Sequence, residues 1–328
     1  MRKYLHALLV IAATLGAACY EPVSDDSEGT RERTVQPGSR TAPAANTEIQ
    51  PSATPGTDFS KQSETMTDQS TPQVKGFRNN VAQMLSREGL SIDSVADSSS
   101  PVERRVFEEY GAVYLTKAKP PSKAMFENDS EVLAFQSAAG ISSENIGGVT
   151  IELQPAAMNA LKAAVDEARS KGLSITPRDG ADAGKRSYSK TLELWKSRFE
   201  PALKHWKQKG RLDDAEIARL KGLPIKQQVA EVLKHENQGI FFNTFFNNSI
   251  LYSVAAPGTS QHLSMLAFDV TEFADKRVQD VLANHGWFRT VQNDAPHFTY
   301  LGHRKSDLND LGLKSVSKKD GVFWIPNV

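Results

Sequence analysis

The chain has 328 residues, enough for two average domains or for one domain with extensions. Lys and Arg total 39 and Asp and Glu total 39, so the net charge is zero and no basic excess indicates a nucleic-acid partner. The single cysteine excludes an intrachain disulfide and a zinc site built from several thiolates. A metal site in this protein must therefore use His, Asp and Glu side chains.

The first residues have the features of an export signal. Two basic residues follow Met1, and the apolar run over residues 8–18 is too short to span a bilayer comfortably. The run ends in a stretch that resembles a bacterial lipobox, Leu15-Gly16-Ala17-Ala18-Cys19, with the leucine one position earlier than usual. We predict a signal peptide over residues 1–18, export to the cell envelope (periplasm or outer surface) and a lipid on Cys19 that holds the protein at a membrane. Ordinary cleavage near Ala18 is the alternative.

Composition divides the rest of the chain. The stretch from Tyr20 to Lys75 contains six prolines and many small polar residues, and its apolar residues are too scattered to offset the entropy of folding. We predict a disordered tether over residues 19–75, an N-terminal packing subdomain over residues 76–140 and a larger folded domain over residues 141–328.

The hydrophobic pattern predicts short helices and strands in mixed order. In the first part of the folded region we expect a short helix at 106–110 and strands at 112–115, 149–153 and 173–177, with a helix from Pro155 to Gly172. Further on we expect a helix containing Leu192, Trp195 and Phe199 that breaks near Pro201, and helical segments over 217–233 that break at Pro224. Near the end we expect strands around 266–270, 287–289 and 298–301, and a helix over 276–285. Because helices and strands do not alternate strictly, the pattern favours an α+β fold with a small, mainly antiparallel sheet and flanking helices.

Two histidines and a carboxylate near the end of the chain have the composition of a zinc site. Asp269 lies on a strand predicted to be buried, where a carboxylate costs several kcal/mol unless it is paired or bound to metal. His262 lies in a polar loop before this strand, and His297 begins a later strand. Three such ligands leave the fourth zinc position open, as catalytic sites require. Asp294, three residues before His297, could act as a base there, whereas isolated histidines packed in the core are the alternative.

These residues resemble the signature of the VanY-type zinc D,D-carboxypeptidases and dipeptidases that act on peptidoglycan. The signature has Ser-x-His, an Asp seven residues after the His, and then Glu/Asp-x-x-His, and it stands here as Ser260-Gln261-His262, Asp269 and Asp294-Ala295-Pro296-His297. An upstream family element is similar to Lys185-Arg186-Ser187-Tyr188. The resemblance covers roughly residues 149–303, about half of the chain.

The resemblance implies a fold like that of the D,D-peptidases and Hedgehog proteins, with one Zn²⁺ per chain. Its zinc ligands would be His262, Asp269 and His297. Asp294 would be the catalytic base.

Three further residues are candidates for substrate contact. By the same resemblance, Arg186 would bind and polarise the substrate and Ser260 would lie near the substrate backbone. The alternative for Arg186 is a solvated residue at a helix start. Trp287 could form the floor of the cleft and contact the substrate, and its alternative is a core position on a strand.

Three positions differ from the family pattern. The base position holds Asp294 where Glu is common, so the carboxylate reaches about one methylene less far. Met265 replaces a glycine between the first histidine and the aspartate, and Thr191 replaces a glutamine after the arginine element. The first change leaves open which bond of the peptide is cleaved. The other two changes could alter the local backbone and the helix packing.

The expected function is a zinc-dependent D-alanyl-D-alanine carboxypeptidase that removes the terminal D-Ala of peptidoglycan stem peptides with a metal-activated water. One alternative is an endopeptidase of the L-Ala–D-Glu type, because aspartate is found at the base position in enzymes that resemble this family. Another is a non-catalytic module of the same fold that binds the cell wall.

Overall fold

Helices and short antiparallel strands follow one another irregularly through residues 76–328, the part of the chain that the computed structural model describes. The predicted signal peptide, Cys19 and the tether over residues 19–75 lie outside the described residues. The helices are α1 Phe77–Arg87, α2 Ile92–Val95, α3 Pro101–Tyr110, α4 Asp129–Ala139, α5 Pro155–Ser170, α6 Tyr188–Gln208, α7 Asp214–Gly222, α8 Ile225–Glu236 and α9 Lys276–Asn284. The strands are β1 Ser142–Ile146, β2 Val149–Leu153, β3 Ala267–Asp269, β4 Trp287–Phe288, β5 His297–Tyr300, β6 Leu313–Lys318 and β7 Gly321–Pro326. None of the helices in this range is long and apolar enough to cross a bilayer.

All strand pairs of the described region are antiparallel, in agreement with the α+β prediction. β1 pairs with β2 and β6 with β7, while a central sheet has the order β3-β5-β4. In that sheet Asp269 is directly opposite His297, and Phe268 is opposite Phe298. The β6–β7 hairpin was not predicted, although the Asp320-Gly321 pair at its tip is a turn signal.

A continuous hydrophobic core runs across the boundary predicted near residue 140. It contains Phe77, Phe107 and Tyr114 from the N-terminal segment together with Trp195 and Phe268 from the rest of the chain. Phe107 contacts both Phe77 and Tyr114, with ring centroids 5.6 and 5.5 Å apart. The proposed packing subdomain therefore has no separate core, and residues 76–140 are part of the same folded unit as the remainder.

Three predicted elements differ from the observed ones. Residues 111–115 form a 3-10 helix rather than a strand, because a short buried apolar run does not distinguish the two. At 173–177 only Pro177 makes a β-bridge, to Val270, and the backbone N–H of Thr176 donates to the Glu272 carboxylate (2.8 Å) instead of to a strand. α6 continues through Pro201, whose ring removes one backbone donor but lies beside the buried residues Phe199, Ala202 and Leu203 that keep the helix packed.

Hydrogen bonds from two distant segments hold the loop that precedes the predicted site. The backbone N–H of Gly258 donates to the Thr191 hydroxyl on α6 (3.1 Å), and the Gly258 carbonyl accepts from the N–H of Phe126 (2.9 Å). The Thr191 hydroxyl itself donates to the Tyr188 carbonyl (2.7 Å). The threonine that replaces the family's glutamine thus contacts this loop directly.

Met265 has a backbone conformation that normally favours glycine. Its φ and ψ are 57° and 31°, in the left-handed region, and its side chain is fully buried. A residue other than glycine costs about 1–2 kcal/mol in this region. The methionine therefore keeps a glycine-like turn between the first histidine and β3, and burial of its side chain offsets the cost.

We expect Gly258→Ala to destabilise the fold much more than Gly239→Ala. Both glycines have positive φ (81° and 76°), but a Cβ at Gly258 would lie 1.9 Å from the Phe126 carbonyl oxygen, whereas a Cβ at Gly239 meets nothing within 4 Å. Urea unfolding should give a loss of about 1 kcal/mol at Gly239 and at least twice that loss at Gly258. Equal losses would contradict the close packing of the Gly258 loop on residues 76–140.

Candidate metal centre

The predicted ligands come from three places that the sheet brings together. Asp269 ends β3, His297 begins β5 directly opposite it, and His262 lies on the 3-10 helix Gln261–Ser264 that leads into β3. All three side chains are buried. The antiparallel pairing of β3 with β5 therefore places a carboxylate beside an imidazole, and the turn at Met265 folds the second imidazole back over them.

The two inner imidazole nitrogens lie close to each other, and each lies close to one oxygen of the Asp269 carboxylate. His262 Nε2 is 3.2 Å from His297 Nδ1 and 3.3 Å from Asp269 Oδ2, and His297 Nδ1 is 3.2 Å from Asp269 Oδ1. In a tetrahedral zinc site with bonds of about 2.05 Å, ligand atoms lie about 3.3 Å from one another. The spacing of these side chains fits a zinc ion.

Hydrogen bonds on the outer edges of the two imidazoles determine where their protons lie. His262 Nδ1 is 2.7 Å from the Gly184 carbonyl, which can only accept, so this nitrogen carries the proton. His297 Nε2 is 2.9 Å from Gln261 Oε1, and the Gln261 amide nitrogen donates to the Tyr110 carbonyl, so His297 is protonated on Nε2. The inner nitrogens therefore carry lone pairs that face the Asp269 carboxylate with no proton between them. Such an arrangement is stabilised by a cation.

The electrostatics of the cluster favour neutral histidines and an ionised carboxylate. Burial, together with the nearby charge of Arg186, lowers the pKa of His262 to about 4. Asp269 stays ionised because the Arg186 guanidinium lies 2.6 Å from its Oδ2. These are the protonation states that metal binding requires.

Arg186 lies against the cluster. One guanidinium nitrogen is 2.6 Å from Asp269 Oδ2, and both side chains are largely buried. Its Nε donates to the Asp182 carbonyl (2.7 Å), and its backbone N–H donates to the His262 carbonyl (3.3 Å). Arg186 is therefore not a solvated residue at a helix start, and its direct partner is the carboxylate of the candidate ligand Asp269.

Asp294 and Ser260 line the same cleft as the three ligands. Asp294 lies in the turn between β4 and β5 and is open to solvent, yet desolvation by the walls of the cleft raises the pKa of its carboxyl, and the charge of Asp269 adds to this shift. Asp294 is not part of the cluster that His262, Asp269 and His297 form. It is therefore a carboxylate next to the metal centre that is not needed as a ligand.

The structure does not place Trp287 at the site. Its ring is fully buried and packs against Phe268 and Tyr300, with ring centroids 6.3 and 5.4 Å away. Trp287 pairs with Tyr300 at the opposite end of β5 from His297, about 10 Å along the strand. The prediction of a substrate contact at Trp287 was wrong, because a two-residue strand does not reveal which side of the sheet its tryptophan faces.

Gln261 is a positioning residue that the sequence did not identify. It accepts from His297, and its amide nitrogen donates to the Tyr110 carbonyl at the end of α3 (2.9 Å). Thr299 on β5 also donates to its amide oxygen. Gln261 lies between Ser260 and His262 in the motif, but a glutamine in a loop carries no signal of this role.

The cleft extends from the metal centre along α6 and has a volume of about 430 Å³. Thr191, Leu194 and Arg198 on α6 form one wall, and residues 251–255 form another. The cleft is large enough to hold several residues of an extended peptide.

A second cluster of possible ligands lies elsewhere, at Glu216, Glu231 and His235. Arg219 already contacts both carboxylates, and His235 Nε2 is 2.9 Å from Glu216. A guanidinium among the oxygens provides the positive charge that a metal would provide. This cluster is an ion-pair network joining α7 to α8.

No protein-family model and no curated protein matches the chain. Among solved structures, it is similar to a mutant of the vancomycin-resistance D,D-pentapeptidase VanY from a VanB-type resistance cassette in complex with Zn(II). The identity is 19% and the TM-score 0.29, over 51% of this chain and 82% of that one. It is also similar to VanYB in complex with D-alanine-D-alanine, with 19% identity and a TM-score of 0.30 over 50% and 78% of the two chains. Similarity at this TM-score carries no argument about fold or activity.

We expect protein that has been stripped of metal with a chelator to bind one Zn²⁺ per chain. The His262→Gln substitution should weaken this binding by more than about 100-fold, because it removes a direct ligand. Calorimetric titration measures the effect. His285→Gln is the matched control, since His285 contacts Glu167 on α5 instead of the cluster. Retention of zinc by His262→Gln together with its loss from His235→Gln would move the site to the Glu216 cluster.

We also expect the metal-free protein to lose stability as the pH falls from 6.5 to 4. The pKa of His262 is about 4 in the folded chain and about 6.5 in the unfolded chain, so in this interval the unfolded chain binds a proton that the folded chain does not. This difference amounts to about 3 kcal/mol across the interval. Urea unfolding in the presence of chelator measures it as the difference between the pH profiles of the native protein and His262→Asn. Parallel profiles would contradict a neutral buried His262.

Proposed function

We propose that this protein is a zinc-dependent peptidase that hydrolyses peptidoglycan stem peptides, with removal of the terminal D-Ala as the first candidate reaction. The observation that carries the proposal is the combination of three inward-facing lone pairs with a separate carboxylate, Asp294, in one open cleft. A structural metal site is closed by a fourth protein ligand, whereas a hydrolytic site needs an open position and a base.

His262, Asp269 and His297 would hold the zinc ion. When bound, zinc supplies a Lewis acid that polarises the scissile carbonyl and promotes the ionisation of water. The Asp294 carboxylate takes a proton from the attacking water and passes it to the leaving amine. Its raised pKa suits this role, because a base whose pKa is closer to neutral also acts as an effective acid in the second half of the reaction.

Arg186 and Ser260 support the reaction in different ways. The Arg186 guanidinium holds the Asp269 carboxylate in place and adds positive charge beside the carbonyl that becomes negative. Because its Nε and one terminal nitrogen are already engaged, we assign it to ligand positioning and charge stabilisation rather than to bidentate binding of a substrate carboxylate. Ser260 lines the cleft, and in this proposal its hydroxyl contacts the backbone of a bound peptide.

Two other functions can be compared with the D-Ala carboxypeptidase through the aspartate at position 294. Aspartate at position 294 favours an endopeptidase of the L-Ala–D-Glu type, because the family that this sequence resembles usually has Glu there. A wall-binding module would have no use for Asp294 as a base. In each case we propose the same location, an exported protein held at the cell envelope through Cys19 and the tether over residues 19–75.

We expect the purified protein to release one alanine from a muropeptide pentapeptide, with the products weighed by mass spectrometry. Chelator should stop the reaction and added Zn²⁺ should restore it. Asp294→Asn should lower turnover by at least about 100-fold and keep its zinc, because it removes the base and no ligand. Asp179→Asn is the matched control, since Asp179 is an exposed carboxylate that lines the same cleft.

The products distinguish the candidates. A cut elsewhere in the stem, with the same dependence on Zn²⁺ and Asp294, would assign the endopeptidase. Intact substrate from a folded, zinc-loaded protein would contradict the peptidase and favour the binding module.

A further inference from the structure

Most charges that line the cleft are neutralised by a neighbour. Arg186 pairs with Asp269, and Arg178 lies 3.9 Å from Asp179. Among the described residues that line the cleft, Asp294 and Arg198 have no ion-pair partner. Asp294 is explained as the base, but the proposed reaction makes no use of Arg198.

Arg198 is held in the wall of the cleft with unused donors. It follows Thr191 and Leu194 along the face of α6 that lines the cleft, and Leu251 and Tyr252 line the same space. Its Nε is buried and has no hydrogen-bond partner, while one terminal nitrogen donates to Ser197 Oγ (2.9 Å). A buried donor without a partner costs free energy until a ligand supplies an acceptor. The planar guanidinium fits a carboxylate with two parallel hydrogen bonds.

The position of Arg198 along α6 indicates how far its guanidinium lies from the end of the helix at the metal centre. α6 begins two residues after Arg186, which contacts the ligand Asp269, so the N-terminal end of the helix lies at the metal centre. Arg198 is about 15 Å along the helix axis from the first residue of α6, and because helical side chains lean toward the N-terminus its guanidinium lies about 10 Å from that end of the helix. An extended peptide covers this distance in about three residues.

Building on the proposed function, we propose that Arg198 determines specificity by binding a free carboxylate of the substrate about three residues before the cleaved bond. In a stem pentapeptide cut between its last two alanines, the third residue before the bond is a glutamate linked through its side-chain carboxyl. Its α-carboxylate is therefore free. The substrate class is a peptide with an anionic residue at this position, and amidation of that carboxylate removes the acceptor.

The test compares two synthetic pentapeptides that differ in one group, with D-isoglutamate or D-isoglutamine as the second residue. Affinity is measured by calorimetry on the zinc-loaded Asp294→Asn protein, and kcat/KM is measured on the native enzyme. We expect both quantities to favour the acid over the amide by about 10- to 100-fold. Arg198→Gln should abolish this preference, because it should lower affinity and kcat/KM for the acid peptide and leave those for the amide unchanged. Lys196→Gln, at an exposed position of the same helix, should keep the preference.

The outcomes separate this subsite from the proposed function. Equal values for the two peptides in the native protein, or a preference that survives Arg198→Gln, would overturn the role of Arg198 and leave the peptidase proposal standing. Hydrolysis of neither peptide would contradict the peptidase, and the calorimetric comparison would then decide the subsite alone. The comparison of acid and amide on the native protein needs no variant, so it remains decisive even if Arg198→Gln does not fold.

Discussion

The chemistry of the site depends on two hydrogen bonds that point away from it. His262 donates to the Gly184 carbonyl and His297 donates to Gln261, so each imidazole has its proton on the outer nitrogen. If either ring carried its proton inside, it would donate to Asp269, and the cluster would be an ordinary hydrogen-bonded core. With both protons outside, the lone pairs of the two inner nitrogens face the Asp269 carboxylate, and a metal ion bound between them would relieve the repulsion that Arg186, on the carboxylate alone, leaves in place.

Residues 76–140 take part in this constraint although none of them is a ligand. The Tyr110 carbonyl at the end of α3 fixes the amide of Gln261, and the N–H of Phe126 holds the loop at Gly258. A change in the packing of the N-terminal helices would therefore remove a hydrogen bond that orients the Gln261 amide toward His297.

The cleft has opposite charges at its two ends. Asp294 lies beside the metal ligands, and Arg198 lies further along α6. The Arg186–Asp269 pair at the metal centre leaves little net charge of its own.

The sequence by itself determined which residues are candidates for the chemistry and roughly where they lie. Residue type and spacing selected His262, Asp269 and His297, and short apolar runs indicated β3 and β5. Only the tertiary structure decided the partners: Arg186 contacts a ligand, Trp287 lies in the core, and Gln261 is held by a carbonyl 151 residues away. The physical reason is that local patterns report which residues can be buried, whereas proton positions and charge pairs depend on contacts between segments that are distant in the chain.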